Sequence, residues 1–461
     1  MDHETWIFKH LSERLLTLQH NSLASYPGPK LWAFSNFPNS IGRIQGLMWI
    51  RLKDAHNKYG PIVRSAPNEL SFITPEVWAD VYAKKPGRPE MPKGNYVPPP
   101  GRESLFDHPV HEEHQRIRKA LRNGFTERAQ KDQEPRVRRF IDGLMDQLRK
   151  VAKAGEATDI AQWNYLVAYD IVADLACGEN FRGVEKGESH KWIGIGINTS
   201  TAFTVFHESK RLWPFNRILN YIPYLTKAVS LRMQHIQYLN ELLDKRRNAK
   251  DTEPDFMTHA LNYLDKPDGL NLGELQRSLE IVVTAASDTA ATLPIGAVYY
   301  LCKNPSVYAQ AQGRNPQQLR FGRGNRHQHR ERQAILARRP QRSLENPPAR
   351  TRKPPPPRGP RRRRHCGQLR AAGYPRFVSA LCGIPFREEL EPTRRLRTRE
   401  PWSRECLGQN VAHAVTRVIL ARYVYNFDME LVDPEESLTD DARVRLVWSH
   451  KPLMVKVRSV R

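Results

Sequence analysis

Cysteine is scarce in this chain. Its 461 residues hold five (Cys177, Cys302, Cys366, Cys382 and Cys406), an odd number with no C-x-x-C pair. This excludes a disulfide framework and a dithiol redox motif, and it fits a reducing compartment. Long apolar runs are missing too, so no transmembrane helix is predicted. Met1 to Ser25 carries Lys9, Arg14 and several acids and has no signal-peptide core. There is no G-x-G-x-x-G and no phosphate loop, which removes the nucleotide-binding fingerprints. His327, His329, His365, Cys366 and Cys382 lack the spacing of a zinc site.

What is present reads mostly as helix. The length allows one large domain or two to three ordinary ones. Met48 to Tyr59 reads as a helix that ends at Gly60-Pro61. Ile62 to Asn68 and Glu69 to Ile73 read as two strands joined at Pro67-Asn68. Pro75 opens a helix over Glu76 to Ala83. Residues 111 to 250 read as mainly helical. Within them lie a basic helix ending near Phe125, an apolar core helix from Trp163 to Cys177, and an amphipathic helix from Met233 to Arg247.

Two places carry chemistry. Leu279 to Leu301 is the most apolar helix, yet Ser287-Asp288-Thr289 interrupts it. An unpaired polar group there costs roughly 1–3 kcal/mol, so the interruption needs a reason. Back-bonding of the hydroxyls to the preceding turn is one; proton chemistry by an adjacent acid and alcohol is another. The second place is Arg404-Glu405-Cys406-Leu407-Gly408, followed by an amphipathic helix from Asn410 to Arg422. Free N–H groups at a helix start favour a thiolate, and a buried helix-start cysteine is the plainer alternative. Gly408 lets the backbone approach a flat partner closely.

The segment from Gly313 to Glu400 differs from the rest. It holds 23 Arg and one Lys against six Glu and no Asp, so it carries +18 of the chain's +24. It also holds twelve of the 35 prolines. A basic nucleic-acid-binding arm, a disordered linker and a translation in the wrong frame all fit this composition. Back-translation separates them. Codons allowed for Arg339 to Ala349, shifted by one base, read Val-Leu-Lys-Glu-Ala-Leu-Arg-Ile-His-Pro-Pro.

Lys58 to Phe72 reads K-Y-G-P-I-V-R-S-A-P-N-E-L-S-F, and this wording resembles fungal cytochrome P-450 chains. The proline hinge Tyr26-Pro27-Gly28-Pro29-Lys30 and the tails Val424 to Leu431 and Lys451 to Val457 are similar to that family as well. So is the R-x-C-x-G half of its ligand loop, F-x-x-G-x-R-x-C-x-G. Arg399 and Trp402 stand where the Phe and first Gly belong. Thr284 to Thr292 resembles the oxygen-activating A-G-x-D-T-T, with Ala286 for the Gly and Ala290 for the second Thr. The shifted reading of Arg339 to Ala349 is similar to the family's E-x-x-R helix and its R-x-x-P-P continuation. A frame error over about 313–401 is therefore expected in place of a basic domain.

The resemblance implies a mainly α fold with small β-sheets, the cytochrome P-450 fold, disrupted over 313–401. It divides the chain into an N-terminal segment without an anchor (1–25), the first part of the domain (26–312), the Arg/Pro-rich stretch (313–401), and the ligand loop with the C-terminal part (402–461). It implies haem as cofactor, with Cys406 as the axial metal ligand. Asp288 and Thr289 are then the catalytic pair that relays protons to dioxygen. His114 (in the place of a common Trp), Arg118 and Arg404 are then the cofactor-binding partners of the haem propionates. Plainer readings make Arg118 and Arg404 solvated charges and His114 a surface residue. The implied activity is oxidation of a lipophilic small molecule in a fungal secondary-metabolite pathway, polyketide or terpenoid. Electrons come from NADPH through a separate reductase, with O2 as co-substrate and no nucleic acid. The expected location is the endoplasmic reticulum surface, by peripheral contact or from a truncated start, or the cytoplasm. Specificity falls to Pro86 to His108 and to helices within 195–240. Two alternatives stand beside this: a remnant unable to hold haem, and nucleic-acid binding through 313–400.

Overall fold

The computed structural model describes residues 22–82, 87–88, 91, 103–188, 201, 203–212, 223–248, 253, 255–313 and 405–460. The N-terminal part begins with helices α1 (Lys30–Phe34), α2 (Phe37–Gln45) and α3 (Met48–Tyr59). Gly60, at φ 99°, stops α3 where only glycine adopts that backbone readily. Strands β1 (Ile62–Ala66) and β2 (Glu69–Phe72) form the expected antiparallel hairpin, closed at Pro67-Asn68. The expected helix after Pro75 includes a π-helical turn over Trp78–Tyr82.

The middle of the chain is helical, as expected. It comprises α4 (His111–Leu121) with a 3-10 turn at Arg122–Phe125, α5 (Glu127–Ala154), α6 (Ile160–Cys177), α7 (Gly183–Lys186), α8 (Pro223–Asn248) and α9 (Phe256–Leu261). A strand, β3 (Ala157–Asp159), sits between α5 and α6, and three residues are too short to show a sequence period. The apolar helix is longer than its apolar stretch: α10 runs Leu272–Lys303. Asn271 and Glu274 close a reciprocal capping box at its start, so polar residues fix its first turn.

Three helices contribute about half of the buried apolar core among the described residues. Helix α6 is apolar all round, and fifteen of its eighteen residues are buried. It packs along α10, with α5 on another side. The polar residues inside it are satisfied. Asp174 pairs with Arg136 of α5 at 2.7 Å, and Asp170 accepts the backbone N–H groups of Gly183 and Val184. Asn164 accepts from the Tyr423 hydroxyl at 3.2 Å. Helix α10 is long and apolar enough to cross a membrane, but its packing against α6 accounts for that composition.

The C-terminal part joins the same core. After α11 (Pro305–Gln312), the description resumes at Glu405 and enters α12 (Gln409–Asn426), which packs on α10 and α5. Strands β4 (Phe427–Leu431), β5 (Arg443–Val444), β6 (Trp448–Ser449) and β7 (Met454–Ser459) follow. β7 is the middle of a three-stranded antiparallel sheet, between β3 and β4. The residues before 313 and after 405 are knitted together. The Tyr308 hydroxyl donates to the Phe427 carbonyl at 2.9 Å and that of Tyr299 to the Glu436 carbonyl at 3.1 Å.

Candidate functional site

Cys406 lies in a tight turn ahead of α12. Its carbonyl accepts from Gln409 N at 3.5 Å, and Gly408 is the N-cap, its carbonyl taking the first helical bond from Ala412 N. Cysteine side chain and helix start are thus three residues apart. The thiol is exposed, so the plainer reading of a buried helix-start cysteine fails. Leu407 packs on the core and anchors the turn. On the other flank, the Phe125 ring lies 4.0 Å from where a Cβ on Gly408 would stand, and Phe125 itself stacks on Phe256 at 4.3 Å.

Arg118 reaches this turn from α4, its Nη1 donating to the Glu405 carbonyl at 2.6 Å. Burial lowers its pKa, while the charges of Glu405 and Cys406 oppose that. It is half-buried and hydrogen-bonded to the turn. His114, one turn earlier, is buried at 3% exposure, not a surface residue. Arg404 lies outside the described residues, as do the whole of 314–404 and most of Pro86 to His108. α4 is itself tied to the start of α10. Arg116 pairs with Glu274 and donates to the Gly269 carbonyl. Burial pushes the Glu274 carboxyl up, but hydrogen bonds from Arg116 and the Asn271 backbone outweigh it and hold the pKa below the usual range.

The second cluster sits in the middle of α10. The Ser287 hydroxyl donates to Val283 O at 2.9 Å, that of Thr289 to Ala285 O at 2.7 Å and that of Thr292 to Asp288 O at 2.8 Å. All three hydroxyls are back-bonded, as the plainer reading has it, and the Thr289 oxygen keeps its lone pairs as acceptors. Asp288 is 3% exposed. Its Oδ1 accepts from the Tyr169 hydroxyl of α6 at 3.0 Å, while Oδ2 has no partner among the described residues. Burial, against the Tyr169 hydrogen bond, raises the carboxyl's pKa. Tyr169 was legible only as one apolar position of a core helix; its hydroxyl was the available signal.

Ala285 and Thr289, one turn apart, are exposed at the centre of this otherwise packed helix, while Ser287, Asp288 and Ala291 are buried. These two positions leave a small open face midway along the most apolar helix. Among the described residues no group of three or more His, Cys, Asp or Glu could hold a metal ion.

Comparison with known proteins gives one result throughout. Residues 26–335 match the family described as cytochrome P-450. The trichothecene C-4 hydroxylase of Trichoderma arundinaceum is 30% identical, over 94% of this chain and 92% of its own length. The cytochrome P-450 monooxygenase cpaH of Aspergillus oryzae is 28% identical over 95% of this chain and 89% of its own. The cytochrome P-450 monooxygenase alt3 of Alternaria solani is 29% identical over 97% and 91%.

Proposed function

The chain belongs to the cytochrome P-450 family of haem-thiolate monooxygenases, and we propose that it hydroxylates a lipophilic small molecule over a haem ligated by Cys406. Its relatives are fungal monooxygenases, and members of the family take electrons from a redox partner and consume O2. One relative is named for hydroxylating a trichothecene. We propose a substrate of comparable lipophilic kind, polyketide or terpenoid, with NADPH as the electron source through a separate reductase at the endoplasmic reticulum surface.

The observation that carries the site assignment is the exposed Cys406 thiol at the head of α12, with the Arg118 guanidinium on the adjoining carbonyl. The residues present fit a haem. A lone exposed thiol supplies the single protein ligand, and the open Ala285–Thr289 stripe supplies an apolar face with one hydroxyl. Arg118 offers a guanidinium suited to a propionate, and Arg404 and His114 are the further candidates for that role. With haem bound, the Cys406 thiolate would push electron density into the iron and favour O–O cleavage. The chain's own part is positioning and proton supply. Burial of Asp288 favours the protonated form of its carboxyl, and Thr289 presents an oxygen on the adjoining open face.

The domain division is part of the proposal. Residues 26–312 and 402–461 form one domain, and 313–401 are translated out of the flanking frame. The ties from Tyr299 and Tyr308 to the C-terminal strands support the first statement, and the shifted match to an E-x-x-R helix supports the second. The loss of the family's E-x-x-R helix at Arg339 to Ala349 in the present frame favours a second reading, a remnant that cannot hold haem. A spectrum and a transcript separate the two. The reduced protein, treated with carbon monoxide, shows the Soret band of thiolate ligation if the proposal is right. Its absence, with a continuous transcript across codons 310 to 405, establishes the remnant.

A further inference from the structure

A carboxyl that relays protons must do so from a defined oxygen. Left free, it can carry its proton on either one and rotate between them. Asp288 is not left free. The Tyr169 hydroxyl donates to Oδ1 across the α6–α10 interface, at 3.0 Å and fully inside the core. The other oxygen, Oδ2, is buried and has no hydrogen-bond partner among the described residues. Buried polar atoms are nearly always paired, and one left unpaired costs about 1–3 kcal/mol. The asymmetry therefore has a cost, and the pair is arranged so that only one oxygen bears it.

We propose that Tyr169 is the positioning residue for Asp288, occupying Oδ1 so that the proton is received and released at Oδ2 alone. The inference rests on the reading of Asp288 as the proton relay. Tyrosine suits the role because its hydroxyl donates to Oδ1 whether the carboxyl is ionised or protonated at Oδ2. The proton arrives at Oδ2 and leaves from it, and the carboxyl ends as it began. Burial, with the neighbouring Asp288 charge, pushes the Tyr169 phenol well above its ordinary range, so it stays a donor throughout. Thr284, one turn before Asp288 on the same face of α10, lines a pocket with Tyr169, His235 and Tyr238. Among the described residues, the titratable side chains that line this pocket or act on Tyr169 are Tyr165, His235 and Tyr238.

The test follows Asp288 itself as well as turnover. In the full-length haem-loaded protein, the infrared carbonyl band of protonated Asp288 is identified by its loss in Asp288→Asn and titrated with pH. Tyr169→Phe removes a hydrogen bond that favours the charged carboxylate, so the midpoint is expected to rise by about one pH unit, tenfold in proton affinity. 3-Fluorotyrosine at position 169, a stronger donor of nearly the same size, moves it down and serves if the Phe variant fails to accumulate. In parallel, Tyr169→Phe raises the share of NADPH lost to peroxide, and the alkaline limb of the coupling profile shifts with the infrared midpoint. An unmoved midpoint in both variants overturns the proposal. So does normal coupling in Tyr169→Phe while Asp288→Asn is uncoupled. Normal coupling in Asp288→Asn overturns the relay reading itself, and the proposal falls with it.

Discussion

Cys406 and Asp288 both sit beside core helices, yet they are held in opposite ways. Cys406 is exposed on a short turn whose fixed points are backbone: the Glu405 carbonyl under Arg118, the Cys406 carbonyl under Gln409, and Gly408 against the Phe125 ring. Asp288 is inside the most extensive helix pair among the described residues, held side chain to side chain by Tyr169. The first arrangement presents an atom outward and leaves the fold indifferent to it. The second fixes a titratable group by packing, so function and stability share the same atoms.

The comparison can be broken at its strongest point. Cys406→Ala is expected to abolish haem loading, read as complete loss of the Soret band. Unfolding of the haem-free protein should change by no more than about 0.5 kcal/mol, as for other exposed positions. A large loss of stability would mean the turn is part of the core after all. On the buried side, Asp288→Asn should lower coupled turnover by roughly 10²–10⁴-fold, the usual worth of a positioned acid or base. Its effect on stability has a sign. Burial raises the folded carboxyl's pKa, so the native state loses stability as pH rises from the unfolded value through the folded one. The Asn variant escapes that loss, and its denaturation midpoint should gain on the parent as pH rises from acid toward neutrality.

The core that holds Asp288 offers a further test. Arg136→Ala strands Asp174 in the α5–α6 interface and should cost about 3–5 kcal/mol in urea unfolding. Glu274→Gln weakens the tie between α4 and α10 by about 1–2 kcal/mol at neutral pH. The Glu274 pKa lies below its ordinary range in the folded state. Its contribution is thus complete above the unfolded pKa and fades as pH falls through the folded one, so parent and variant should converge in acid. The smallest effect on stability is expected at Gly408. An alanine Cβ there makes ordinary contact with Phe125, at a φ of −86° that any residue adopts. Gly408→Ala should leave unfolding within about 0.5 kcal/mol while lowering haem occupancy, which separates a packing role from close approach to the cofactor.

Much of the frame was legible. Helix α3 begins and ends where the pattern placed it, and the β1–β2 hairpin turns at Pro67-Asn68 as read. Local signals decided those: a glycine stop, a turn dipeptide and a helical apolar period. α10 extends seven residues before its apolar stretch, because Asn271 and Glu274 start it by hydrogen bonding and hydrophobic spacing is blind to that. The strands β3, β4 and β7 owe their pairing to contacts far apart in the chain, which no local window contains.

The residue types at the site belong to the sequence alone: a cysteine ahead of a helix, and an acid and an alcohol side by side in an apolar one. Their spacing follows from the helical repeat and needs no fold to be read. What each atom meets was decided by tertiary structure. Folding exposed Cys406 and buried His114, brought Arg118 to a carbonyl 287 residues away, and set Tyr169 of one helix on one oxygen of Asp288 in another. Burial and long-range hydrogen bonds arise only when separate helices pack, and they determine which oxygen of a carboxyl is free.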